Sequence, residues 1–280
     1  MREEVRRAAA LLSAADGLLI AAGAGMGVDS ELPDFRGDAG FWSAYPALGA
    51  ARMPFIEVAS PTTFLRDPKL GWGFYGHRLD LYRRTQPHAG FATLRKWAAR
   101  MPRGAFVFTS NVDGQFQKAG FDPESIHECH GSIHWLQCLS GCTPDIWSAD
   151  GLSVHVDAAK CEWQAPLPAC PRCGSVFRPN LLMFGDGAWL GRRYGQQRRR
   201  LQAWRERVVR LVVVEIGAGT YVPSVRHFAE SMARQEGASL IRMNPREADV
   251  PSPSDVGLAA GALEGLTMLD EALSDRLAGT

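Results

Sequence analysis

The feature that most constrains this chain lies in residues 17–37, where a short apolar run, GLLIAA, passes directly into GAGMGVDSELPDFRG. An apolar run this short, closed by glycines, reads as a buried strand ending in a tight turn. Glycine at such a turn lets the backbone approach a pyrophosphate closely, and an open α/β sheet presents ligands at these C-terminal strand edges. GAGMG lacks the strict G-x-G-x-x-G spacing, so by itself it does not establish a dinucleotide site.

The rest of the chain repeats the strand–turn–helix theme. Further strands are predicted at Ala105 to Ser110, Ser125 to His130, Leu181 to Phe184, Arg210 to Ile216 and Ser239 to Met243. Helical patterns fall at Phe91 to Arg100, Gly114 to Ala119, Arg193 to Val209 and Val222 to Gln235. RLVVVEIGAG is apolar without alternation, as a parallel strand covered on both faces should be. The expected class is α/β, a doubly wound Rossmann-like parallel sheet with a helical insert and a small zinc-binding lobe. The core is expected over about 1–40, 88–135 and 179–280, the insert over about 41–87 and the lobe over about 136–178. At 280 residues, this makes one catalytic-size domain with inserts.

The lobe rests on cysteine spacing. All six cysteines lie between Cys129 and Cys173, which argues for a local metal site over a spread disulfide framework. Cys138 and Cys142 form one pair, Cys170 and Cys173 the other, about 27 residues on, and together they match a tetrahedral four-sulfur zinc site. Such a closed shell is structural. Cys161 is a spare, and Cys129 reads as core.

Composition excludes other classes. The net charge of +1 supplies no field for nucleic acid, and the basic run GRRYGQQRRRL reads as a solvated helix face. No run of about 18 apolar residues points to a membrane span. The N-terminal MREEVRRAAALLSAADG reads as an amphipathic helix, not a signal peptide, so the expected location is cytoplasmic.

Two further segments fit the glycine turn. In TSNVDGQFQKAG, Asn111 and Asp113 follow a predicted strand, and in HECHGS, His130 ends the next one. A histidine there is placed to act as a general base near neutral pH. Each residue also has a plain role: Asn and Asp cap helices, and histidines are often simply buried.

Together these segments resemble the sirtuin family of NAD-dependent protein deacylases, from about Leu18 to Leu273. The resemblance implies that Ala22, Gly23, Ala24, Gly25 and Met26 line the NAD phosphate turn. Phe35 would cover the reacting ribose, Arg36 would hold the cofactor, and Ser110 would stand near the ribose and nicotinamide. Asn111 would orient the nicotinamide ribose, and Asp113 would bind the carboxamide. His130 would take a proton from a ribose hydroxyl. Gly217, Gly219 and Thr220 in EIGAGTYVP resemble the second phosphate-facing loop. Asn244 resembles the asparagine on the adenine-side ribose, with Asp255 and Val256 near the adenine. RPNLLMFGD resembles the strand that pairs with an acyl-lysine protein or peptide, bringing Met183, Phe184 and Gly185 to the acyl-lysine, opposite Tyr221 and Val222. The four cysteines match the family's structural zinc ligands.

The implied reaction has the acyl oxygen attack C1′ of the nicotinamide ribose as nicotinamide leaves. The products are lysine, nicotinamide and O-acyl-ADP-ribose. Transfer of ADP-ribose elsewhere, or hydrolysis of NAD, would use the same Asn, Asp and His. A binding module without turnover is the reading from another class. Three positions depart from the family pattern: Gly27 for serine, Glu31 for glycine and Ser110 for glutamine. Finally, Tyr75 and Arg78 stand three apart in GWGFYGHRLDLY and share a helical face. They resemble the Tyr-x-x-Arg signature of the desuccinylase-type (class III) sirtuins, where both hold an acyl carboxylate such as that of succinyl- or malonyl-lysine.

Overall fold

The structure is a computed structural model that describes residues 2–34, 37–235 and 237–278. Its strands are β1 (Gly17–Ala22), β2 (Ala105–Thr109), β3 (Ile126–Glu128), β4 (Gly131–Cys138), β5 (Ile146–Ser148), β6 (Val156–Asp157), β7 (Glu162–Trp163), β8 (Phe177–Leu181), β9 (Leu211–Ile216), β10 (Ala238–Met243) and β11 (Val256–Leu258). The main sheet has six strands in the order β11-β10-β9-β1-β2-β3, all parallel. β1 and β9 are fully buried along their lengths, which accounts for the absence of polar alternation in GLLIAA and LVVVEI. Leu18, Ile20 and Ala22 pack with the helices Arg2–Ala14, Ala89–Ala98 and Ala262–Ala278 on one face. Leu19 and Ala21 face the helices Arg192–Arg205 and Ser224–Ala233 on the other.

The chain order reverses between β1 and β9. From β1 it proceeds through β2 and β3 on one side, and through β9, β10 and β11 on the other. A crevice outside the strand ends is expected at such a switch point. Both glycine segments, residues 23–27 and 217–219, leave the sheet there.

Two inserts cover the crevice. The first is a run of helices, Gly37–Ala44, Pro46–Ala50, Phe55–Val58, Pro61–Arg66 and Pro68–Arg84. The second is a lobe built on the antiparallel sheet β5-β4-β8 and the hairpin β6-β7. They share one core of Trp72, Phe74, Tyr75, Trp163, Phe177 and neighbours, separate from the packing on the parallel sheet. The glycines of GWGFYG make this contact possible. A Cβ at Gly73 would lie 1.9 Å from the carbonyl oxygen of Cys161, and one at Gly76 would lie 2.9 Å from the Trp163 ring. Trp72 Nε1 then donates to Phe177 O at 2.7 Å. The lobe therefore does not depend on a metal alone: it borrows the core of the helical insert.

The structure moves one predicted strand and adds others. The run predicted at Leu181 to Phe184 is strand only at its start. β8 occupies Phe177–Leu181, and the chain then bends, with Gly185 at φ +67°. Leu182 N donates to His130 O and Phe184 N to Ala59 O, so this segment is tied inward on both sides. β4 and β11 were not anticipated: β4 carries polar residues at several positions, and β11 is three residues long. Among the described residues no helix is long and apolar enough to cross a membrane.

Candidate active site

The switch point opens into a cavity of about 760 Å³. Its sheet-side wall is the contact between the two glycine loops. Gly25 N donates to Gly217 O at 3.0 Å, and a Cβ on Gly25 would lie 2.6 Å from Gly217 Cα. Gly217 itself stands at φ +61°, a region that favours glycine. These glycines thus serve first to bring two backbones together. Gly23, Ala24, Gly25, Gly217, Gly219 and Thr220 line the cavity. Ala22, Met26 and Val256 do not: all three belong to the core packed on one face of the sheet and are no more than 1% exposed. Asp255 is likewise turned to structure, accepting from Leu240 N at 2.9 Å. Phe35 and Arg36 lie outside the described residues.

Asn111 is fixed from both ends. Its backbone N–H donates to Thr109 Oγ1 at 3.0 Å, and its Nδ2 donates to Gly23 O at 3.0 Å. The side-chain amide is thereby pinned to the first glycine loop on the cavity wall. Asp113 stands on the same wall. One carboxylate oxygen accepts from Gln115 N at 2.9 Å, a capping bond to the short helix that follows. Burial pushes its carboxyl up to about 6. Ser110 lies beside them, half-buried.

His130 comes two residues after β3 ends, in the turn into β4, and not within the strand as expected from sequence. Its Nε2 lies 3.1 Å from Ser224 Oγ at the start of the Ser224–Ala233 helix. Burial lowers its pKa, so the imidazole is neutral near pH 7 and able to accept a proton. Ser224 was not anticipated, because nothing local in the sequence links it to a histidine 94 residues away.

Asn244 joins loops. Its Nδ2 donates to Ala218 O at 3.0 Å, and its Oδ1 accepts from Arg246 N and Glu247 N, each at 3.0 Å. Glu247 in turn accepts from Thr220 Oγ1 at 2.8 Å. These residues also line the cavity.

Met183, Phe184 and Gly185 also line the cavity, as do Tyr221 and Val222. Phe184 packs edge-on against Phe55 at 5.7 Å. The segment is held by Asp186, whose carboxylate makes a two-pronged, fully buried pair with Arg178 at 2.6 and 3.0 Å. Leu182 and Phe184 spend their N–H groups inward, so they are not donors for an added strand. Leu182 and Tyr221 expose apolar side chains at the mouth, 42% and 78% accessible.

Tyr75 and Arg78 both reach this cavity and are both buried. Tyr75 stacks on Phe64 at 5.7 Å, and burial pushes its phenol up to about 12. Arg78 donates from Nε and Nη2 to Tyr82 Oη at 2.9 and 2.6 Å. Asp80, the acid nearest in sequence, instead faces Arg84 at 3.8 Å on the outer surface.

The four cysteines Cys138, Cys142, Cys170 and Cys173 bring their sulfurs within 4.8 Å of one another. Neighbouring pairs stand at 3.5 to 3.6 Å. A zinc tetrahedron with bonds of about 2.3 Å has sulfur–sulfur edges of roughly 3.8 Å, so the donor set fits that ion. Cys161 and Cys129 are buried elsewhere and take no part.

A sequence model of the Sir2 family matches residues 23–203. The chain is 30% identical over 273 residues to the NAD-dependent protein deacylase 2 of Pyrobaculum aerophilum, covering 95% of each chain. It is 29% identical over 261 residues to the NAD-dependent protein deacylase of Aquifex aeolicus, covering 91% of this chain and 94% of that one. Among solved structures, a mutant Sir2 homologue in complex with ADP-ribose superposes with a TM-score of 0.71 at 24% identity, over 97% of each chain.

Proposed function

Because this chain belongs to the Sir2 family, we propose that its cavity is the active site of an NAD-dependent protein-lysine deacylase. The observation that carries the reading is the meeting of two glycine loops with Asn111, Asp113 and His130 around one cavity at the switch point. When bound, NAD supplies an electrophilic ribose carbon with nicotinamide as its leaving group.

The glycine loops would take the pyrophosphate, since side-chain-free backbone allows close approach. Asn111, with its nitrogen tied to Gly23, would offer Oδ1 to a ribose hydroxyl. Asp113 would offer a carboxylate oxygen to the N–H of a carboxamide. His130, neutral through burial, would take a proton from a ribose hydroxyl while Ser224 holds its ring. Phe184, Met183 and Phe55 give the reacting end an apolar wall that excludes water. With one water consumed as the acyl carbon leaves the lysine nitrogen, lysine, nicotinamide and O-acyl-ADP-ribose would be the products. The substrate lysine would come from an extended segment seated between residues 182–185 and Tyr221–Val222, held more by Gly185 and the apolar mouth than by Leu182 or Phe184 N–H groups.

The acyl group favoured by the site ends in a carboxylate. A buried guanidinium and a buried phenol on one cavity wall suit a succinyl or malonyl terminus better than an acetyl methyl.

The test is incubation of the full chain with NAD and a matched pair of acetyl-lysine and succinyl-lysine peptides. Mass spectrometry follows deacylated peptide, nicotinamide and O-acyl-ADP-ribose, with His130→Tyr as control. Faster succinyl turnover, lost in the control, is expected. Nicotinamide release without deacylated peptide would assign the site to NAD hydrolysis or ADP-ribosyl transfer.

A further inference from the structure

Arg78 is bracketed on its own helix. Tyr75 lies one turn before it and Tyr82 one turn after, and all three side chains line the cavity. Tyr82 holds the guanidinium by one edge: its single oxygen accepts from both Nε and Nη2. A guanidinium also presents an Nη1–Nη2 edge, whose parallel N–H groups match both oxygens of a carboxylate. Tyr82 is itself anchored, because Gln115 Nε2 donates to its backbone oxygen at 3.1 Å, and Gln115 N is bound to Asp113. Tyr82 is 5% exposed and its phenol is kept neutral by burial, so it serves as a fixed acceptor.

We infer that Tyr82 is a positioning residue for Arg78 and a third determinant of acyl choice, an inference that rests on the carboxylate reading above. Tyr82 fixes the roll of the guanidinium about its long axis. That roll decides whether the Nη1–Nη2 edge meets an acyl carboxylate squarely or at an angle. Without the phenol oxygen, Arg78 keeps its charge and its packing over the Phe74 and Tyr75 rings but loses the two hydrogen bonds that set its roll, which each substrate would then have to restore in part.

The test is a mutant cycle on the full chain with NAD, measuring kcat and KM for succinyl-lysine and acetyl-lysine peptides. The proteins are the wild type, Tyr82→Phe, Arg78→Met and the double variant. Tyr82→Phe keeps the ring and its packing and deletes only the hydroxyl. It is expected to raise KM for the succinyl peptide about tenfold, the scale of one charge-assisted hydrogen bond, with a much smaller effect on kcat. The succinyl-over-acetyl ratio of kcat/KM should fall by a similar factor. In the Arg78→Met background, Tyr82→Phe should not move the ratio further.

Equal losses on both peptides, or loss of both with a lowered melting transition, would make Tyr82 structural and overturn the inference. An additive change in the double variant would do the same, because Tyr82 would then act independently of Arg78. If Arg78→Met is selective for succinyl and Tyr82→Phe is not, only the Tyr82 inference falls. If Arg78→Met leaves the ratio unchanged, the carboxylate reading falls and takes this inference with it.

Discussion

The cavity has two walls of different construction. The sheet-side wall is made of backbone: glycine loops at the ends of β1 and β9, packed so closely that no side chain fits between them. The facing wall is made of side chains: a helix bearing Tyr75, Arg78 and Tyr82, pressed onto the cysteine lobe through Trp72, Trp163 and Phe177. On the reading proposed above, the first wall would place a cofactor by the path of the chain alone, and the second would shape the acyl end by packing. The two share little core, so they should respond separately to damage.

The largest expected separation comes from removing the metal. Structural zinc at four sulfurs contributes on the order of 10 kcal/mol in small domains. A strong chelator should therefore loosen the lobe and the Trp72–Phe177 link, and abolish peptide turnover. ADP-ribose should still bind the glycine loops with little loss. Tryptophan fluorescence and near-ultraviolet circular dichroism follow the first effect, and calorimetric titration with ADP-ribose the second. A single concerted transition that also destroys ADP-ribose binding would show that the two walls form one cooperative unit.

Next in size is Asp186→Ala. It strands the fully buried Arg178 without its partner, a change that costs about 3–5 kcal/mol. The segment carrying Met183 and Phe184 should lose its shape, and peptide KM should rise sharply while ADP-ribose affinity changes little. Urea unfolding and steady-state kinetics check both halves.

Asp113→Asn should act in the opposite direction on stability. The folded-state carboxyl titrates at about 6, above its usual value of 3.8, so the folded chain holds the proton more tightly than the unfolded one. Stability is therefore full below about pH 4 and falls as pH rises to about 6, by on the order of 2–3 kcal/mol for a shift of this size. Asparagine does not titrate. The variant should match the wild type near pH 4, exceed it at pH 7 and lose turnover at both. Melting curves at the two pH values decide this. A variant no more stable at pH 7 would mean that Asp113 is not strained by burial.

The walls also differed in how far the sequence disclosed them. A glycine constrains backbone, so GAGMG and IGAG announced two tight turns at strand ends, and the apolar runs before them announced a buried parallel sheet. Cysteine spacing disclosed the metal lobe, since a ligand set is local chemistry. Asn111 and Asp113 were legible from their place after a predicted strand and His130 from its place at the end of one, although the strand stops two residues before it. The register of the side-chain wall was not. Nothing in GWGFYG says that Gly73 faces Cys161, nor that Ser224 would meet His130, because those contacts depend on how remote segments dock. Met26 and Val256 illustrate the converse: proximity in sequence to the site placed them there, and the short helical turn at Met26 and the strand at Val256 turn their side chains into the core. Tyr82 was within reach of sequence reasoning, since a residue four places after Arg78 on a helix shares its face.

The smallest effect concerns the loop between the walls. Glu31 stands at φ 62°, ψ 20°, closing the short helical turn that follows the first glycine loop. A left-handed conformation costs a residue with a Cβ about 1–2 kcal/mol, part of which glycine gives back through its freer unfolded chain. Glu31→Gly should therefore stabilise the protein by about 0.5–1 kcal/mol, seen as a small rise in melting temperature. Because Glu31 is exposed and does not line the cavity, the succinyl-over-acetyl ratio should not shift with it. A shift in that ratio would mean that strain at residue 31 is transmitted across the cavity to the acyl end, and that the two walls are mechanically joined through this turn.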